Sequence, residues 1–85
     1  MNRYLPIGSV VTLAGGSKPV MIYGRLQMQE GSEEIWDYVG CLYPEGNLGD
    51  DYTVFFQHEQ IGQIWFVGYD SEEERQLQAQ LRKYA

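Results

Sequence analysis

Eighty-five residues carrying a formal net charge of −6, with a pI near 4.5, are enough for one domain close to the size at which a single core is only just sufficient. Six Lys and Arg against twelve Asp and Glu, the basic ones scattered at Arg3, Lys18, Arg25, Arg75, Arg82 and Lys83, exclude the clustered basic stripe that nucleic acid or an anionic membrane surface demands. Cys41 is the only cysteine and cannot close an intrachain bridge; with no readable signal peptide and no apolar run near the roughly 20 residues of a membrane-spanning helix, the expected location is cytoplasmic.

In chain order, Leu5-Pro6-Ile7-Gly8 is a short apolar lead-in, and the β-branched segment from Ser9 to Leu13 predicts a first strand. Gly15-Gly16-Ser17 breaks it. Pro19 suits the start of a second strand, Val20 to Gln29, in which Val20, Ile22 and Leu26 alternate with Met21, Tyr23 and Arg25. After the polar turn Glu30-Gly31-Ser32-Glu33, Ile35 to Tyr43 predicts a third strand. Both of its faces are largely apolar, which places it centrally with at least partial cover on both sides. Cys41, beside Val39 and Leu42, is read there as a small core hydrophobe.

Pro44-Glu45-Gly46-Asn47 ends that strand as a turn. Tyr52 to Phe56 and Ile64 to Tyr69 predict the fourth and fifth strands. After Asp70 the period changes: Ser71 and Glu74 make a capping box, Glu72 to Glu74 fill the first helical turn, and Arg82 and Lys83 stand in the last, all complementary to the helix dipole. Leu77, Leu81 and Tyr84, at i, i+4 and i+7, form one apolar stripe that must dock on something. The fold class is therefore mainly β with one helix (α+β): a small five-stranded antiparallel assembly, either an SH3-like barrel or a strongly curved sheet, with a C-terminal α-helix. The whole chain, 1–85, is one domain, with residues 5–69 forming the β core and 71–84 the helix.

Little in the sequence points to catalysis. His58-Glu59 begins like the helical zinc motif, but Gly62 occupies the place of the second histidine, and a turn that plugs the core with Ile61 explains the pair better. The acid pairs Glu33-Glu34 and Asp50-Asp51 are adjacent loop carboxylates, and Glu45 to Thr53 lacks the frame of a calcium loop. No serine sits in a nucleophile elbow. Aromatic residues are the remaining signal: Tyr23, Trp36, Tyr38, Tyr43, Tyr52, Phe55, Phe56, Trp65, Phe66 and Tyr69 exceed what one small core can hide. An exposed aromatic patch predicts a protein-binding face.

Five blocks, Leu5-Pro6-Ile7-Gly8-Ser9-Val10-Val11, Lys18 to Arg25, Tyr38-Val39-Gly40-Cys41-Leu42-Tyr43-Pro44-Glu45-Gly46, His58-Glu59-Gln60-Ile61 and Val67-Gly68-Tyr69, together resemble a small uncharacterised domain-of-unknown-function family of Gram-positive bacteria. Its members are encoded beside type VII secretion components and LXG-type polymorphic toxins. The resemblance implies an accessory role, as chaperone or targeting adaptor for an LXG toxin, and carries over no catalytic residue.

The expected function is accordingly a non-enzymatic protein-binding factor whose partner is the cognate secreted toxin, with no cofactor, no metal, no nucleic acid and no membrane. Tyr23, Trp36, Tyr38, Tyr43, Glu45, His58 and Glu59 are the expected protein-binding residues. The alternatives are an immunity protein that neutralises the toxin and a small metal-binding or hydrolytic domain centred on His58 and Glu59.

Overall fold

β-Branched and aromatic residues bounded by glycine and proline turns form five strands in the computed structural model, which describes residues 3–84. They are β1 (Val10–Leu13), β2 (Val20–Met28), β3 (Ile35–Leu42), β4 (Val54–Phe56) and β5 (Ile61–Phe66), followed by the helix α1 (Glu72–Leu81). All pairings are antiparallel, in the order β4-β3-β2-β1-β5. The sheet does not close, so of the two expected forms the molecule adopts the curved open sheet, with β4 and β5 at its edges. Among the described residues no helix is long and apolar enough to cross a membrane.

Several boundaries differ from expectation. Tyr52 lies in a short 3-10 turn rather than in β4, and β5 begins at Ile61 and ends at Phe66 instead of spanning Ile64 to Tyr69. Gly62, which reads as a loop residue, lies within β5 at an irregularity of its pairing with β1. β-Bulges accommodate glycine in this way. The peptide bond before Pro44 is cis, and Gly46 takes the positive φ that closes the turn after β3.

Residues directly opposite one another share a face, so the register defines two faces. On the inner one, Val11 stands between Val20 and Ile64, Gly40 between Ile22 and Val54, and Tyr38 between Arg25 and Phe56. These rows supply the core, in which Tyr38 packs edge-on against Tyr4 at 6.1 Å and lies tilted on Phe56 at 5.3 Å. Gly40 makes the close packing of β2 on β3 possible, because a Cβ there would lie 2.5 Å from Val20 Cγ1 and 2.7 Å from the Met21 carbonyl oxygen.

Two pieces cover the inner face: the segment before β1 and the helix. Tyr4 is held by one side chain, Gln78, whose amide oxygen accepts the Tyr4 N–H at 2.9 Å and whose Nε2 donates to the Tyr4 carbonyl at 2.7 Å. Leu5 N–H donates to the Tyr38 hydroxyl, and the Arg25 guanidinium donates to the Leu5 carbonyl. Further on, Ser9 Oγ donates to the Pro6 carbonyl and accepts the Gly68 N–H. Every one of these backbone groups would be costly to bury unpaired.

Gly68 sits so close to this segment that an added Cβ would overlap the Ile7 carbonyl oxygen. Backbone cannot yield as a side chain can, so Gly68→Ala is expected to lower stability by about 1–3 kcal/mol, as for other overpacked sites, read as a shift of the urea midpoint.

The helix docks differently from its predicted stripe. Ser71 caps it by accepting the Glu74 N–H, but the Glu74 side chain does not return to complete the box. It turns inward to Arg25, which donates to both of its oxygens at 2.5 and 2.9 Å. Leu77 and Tyr84 are exposed, whereas Gln78 is buried and Leu81 packs on the core. The docked edge is thus Glu74, Gln78 and Leu81, two of them polar.

Candidate protein-docking face

On the outer face a row of four residues, Phe66, Val10, Met21 and Cys41, crosses β5, β1, β2 and β3. A second row sets Phe55 of β4 opposite Val39, two residues from Cys41 along β3. An antiparallel sheet with one wet face places polar side chains at these positions; here they are apolar. Val10, Val39 and Cys41 are buried, while Tyr43, Trp65 and Phe66 stand exposed beside them.

The register between β1 and β5 explains Trp65. Val10 pairs with Phe66 and Val11 with Ile64, so Trp65 is the extra residue of a bulge, a device that re-aims a side chain. Its indole N–H donates to Thr12 Oγ1 at 2.6 Å, and its ring remains 60% exposed, beside Phe66 at 61%. Gly8, Val10, Met21, Tyr43, Trp65 and Phe66 together line a cleft of about 410 Å³, within the range of ligand pockets and lined mainly by apolar side chains.

The residues expected to bind protein are dispersed. Tyr23 and Tyr43 lie exposed beside the outer face. Glu45, in the turn after β3, is held below the ordinary carboxylate range chiefly by the hydrogen bond from Lys18. Tyr38 is fully buried in the inner core and offers no surface. Burial pushes its hydroxyl up to about 12, so it stays protonated as a structural link at neutral pH.

His58 and Glu59 open a short 3-10 turn before β5. The His58 backbone N–H donates to Asp37 Oδ2 at 2.8 Å, and its Nδ1 lies 2.7 Å from the Tyr38 hydroxyl. Glu59 is exposed. Gln57 and Gln60 cap this turn reciprocally, and Ile61 packs against the core. Among the described residues no group of three or more His, Cys, Asp or Glu converges on a point where a metal could sit.

Trp36, opposite Gln27 at the far end of β3, is half-buried. Its indole nitrogen is buried without a hydrogen-bond partner among the described residues. Because an unsatisfied donor offsets much of what the ring contributes, Trp36→Phe is expected to change stability by less than about 1 kcal/mol, measured by thermal or urea unfolding.

Trp65, Phe66 and Met21 are cleft-lining residues of the outer face that the expected set lacks. One signal for them was present in the sequence: no residue from Ile61 to Tyr69 is charged, and Ile64-Trp65-Phe66-Val67 never alternates with polar positions as a half-wetted strand should.

Fold and face together define a small open-sheet protein, covered by a helix on one side and apolar on the other. The chain belongs to the family described as a domain of unknown function (DUF4176), which it matches over residues 4–77. No curated protein matches it. No solved structure matches it either.

Proposed function

We propose that this protein is a non-enzymatic accessory factor that binds another protein through the outer face of its sheet, acting as cytoplasmic chaperone or targeting adaptor for an LXG toxin exported by type VII secretion. One observation carries the binding part: Tyr43, Trp65 and Phe66 stand exposed together around the cleft that Met21 and the buried Val10 floor. Contiguous apolar surface of this kind marks interaction sites, and exposed aromatic rings are the side chains that most often anchor them. The toxin as partner rests on the resemblance carried by the Leu5–Val11, Lys18–Arg25, Tyr38–Gly46, His58–Ile61 and Val67–Tyr69 blocks.

Co-expression with the LXG toxin that the resemblance implies beside its gene tests the reading. The toxin is expected to co-purify with the wild-type chain and to lose solubility or secretion when the chain is deleted. A toxin that neither co-purifies nor changes on deletion overturns the proposal. Protection of a sensitive strain from the active toxin domain, without any effect on export, would assign the chain to neutralisation instead.

A further inference from the structure

The outer face changes character along the sheet. At the β1 and β5 end lies the apolar cleft, with no acid in its wall, and Glu45, two residues beyond its Tyr43, is paired with Lys18 at 2.7 Å. Along β2 the face passes from Met21 to Tyr23, about 7 Å at the usual rise of a strand. There a second depression of about 350 Å³ opens, lined by Tyr23 and Phe55 but also by Glu30 and Asp50, with no basic side chain in its wall. Glu30 and Asp50 are exposed, and neither takes part in the ion pairs of the described residues.

We infer that this face takes an extended segment of a partner protein that carries two or more large apolar side chains and, beyond them, a lysine or arginine. The apolar side chains fill the cleft beneath Tyr43, Trp65 and Phe66, and the cation sits over Glu30 and Asp50. The inference rests on the proposed role of the face in binding protein and specifies what it binds. Charge complementarity selects this occupant over a second copy of the chain. Of the six Lys and Arg, Arg3, Lys18, Arg25 and Arg75 are already paired with acids of their own chain, and two molecules of net charge −6 repel one another. Area agrees with a modest, segment-sized contact: Tyr23, Tyr43, Trp65 and Phe66, each about half exposed, offer on the order of 400 Å² of ring surface, below the roughly 800 Å² per partner of a standard protein interface.

Panning a displayed library of short random peptides against the intact protein tests this directly. Wild type is expected to enrich sequences combining Leu, Ile, Phe, Met or Trp with Lys or Arg, the basic clones outnumbering acidic ones by about tenfold or more, equivalent to one decade of affinity. The Glu30→Lys/Asp50→Lys double variant should reverse that charge preference while keeping the apolar one. Phe66→Glu should abolish enrichment, and Tyr43→Glu provides a second exposed position should Phe66→Glu unfold, as checked by far-UV circular dichroism. An apolar-basic consensus that is absent, or that survives unchanged in the double lysine variant, overturns the inference. So does a concentration-dependent dimer, seen by sedimentation, that dissolves in Phe66→Glu. Loss of the consensus with toxin co-purification intact removes this site alone; an intact consensus without toxin binding removes the toxin assignment alone.

Discussion

Glu74→Ala is expected to cost about 3–5 kcal/mol, the range for removing one partner of a buried ion pair. Side chains of Arg25 and Glu74 are only 5% and 9% exposed, so the substitution leaves a guanidinium with neither water nor a counter-charge. The same logic predicts that Arg25→Met/Glu74→Leu recovers most of the loss, because both charges then leave together. Burial pushes the Glu74 carboxyl up, but the hydrogen bonds from Arg25 and Gln78 and the Arg25 charge outweigh it, holding the group below its ordinary value of 4.5. A carboxyl depressed in the folded state stabilises fully above that ordinary value. The contribution is lost as pH falls from 4.5 through the lower folded-state value. Urea midpoints of wild type should therefore drop between pH 6 and pH 3 more steeply than those of Glu74→Gln; equal slopes would show that the pair does not govern the acid transition. Asp70 and Glu45 are depressed in the same direction by Arg3 and Lys18, but on the surface, where screening leaves such pairs little influence.

Gln78→Leu, nearly isosteric, is expected to cost about 2–4 kcal/mol, since it leaves the Tyr4 N–H and carbonyl buried and unpaired at about 1–3 kcal/mol each. The segment held by this side chain covers Tyr38, so its release exposes part of the core. Hydrogen exchange separates this cause from a general loss of helix: the Tyr4 amide should exchange much faster than those in the middle of β2 and β3. Unchanged protection at Tyr4 would contradict the role assigned to the amide clamp.

Strands were legible because their information is local. β-Branched runs and glycine or proline turns predict all five, within one to three residues at most ends, and Ser71 marks the helix start. The helix face was not legible, for a physical reason. Hydrophobic periodicity selects Leu77, Leu81 and Tyr84, but the docked residues are Glu74, Gln78 and Leu81, and the partners of the first two, Arg25 and the Tyr4 backbone, lie 49 and 74 residues away in sequence. Polar docking to a distant backbone leaves no apolar signature. The outer face is partly legible: the surplus of aromatics predicts exposed rings, and Tyr23 and Tyr43 are among the expected binding residues. Trp65 belongs to that surplus but not to the expected binding residues, because its orientation depends on a bulge that only pairing with β1 creates. Tyr38 was placed on the surface by its residue type, whereas its position opposite Arg25 and Phe56 puts it in the core.

Cys41 closes the row that begins at Phe66, directly opposite Met21, and it is the only thiol in the chain. Only 5% exposed, it is reached from outside only when the side chains around it part. The molecule thus carries its own chemical reporter: the rate at which a maleimide or iodoacetamide finds Cys41 measures how often the face opens, and slows when a partner occupies it, with no label introduced.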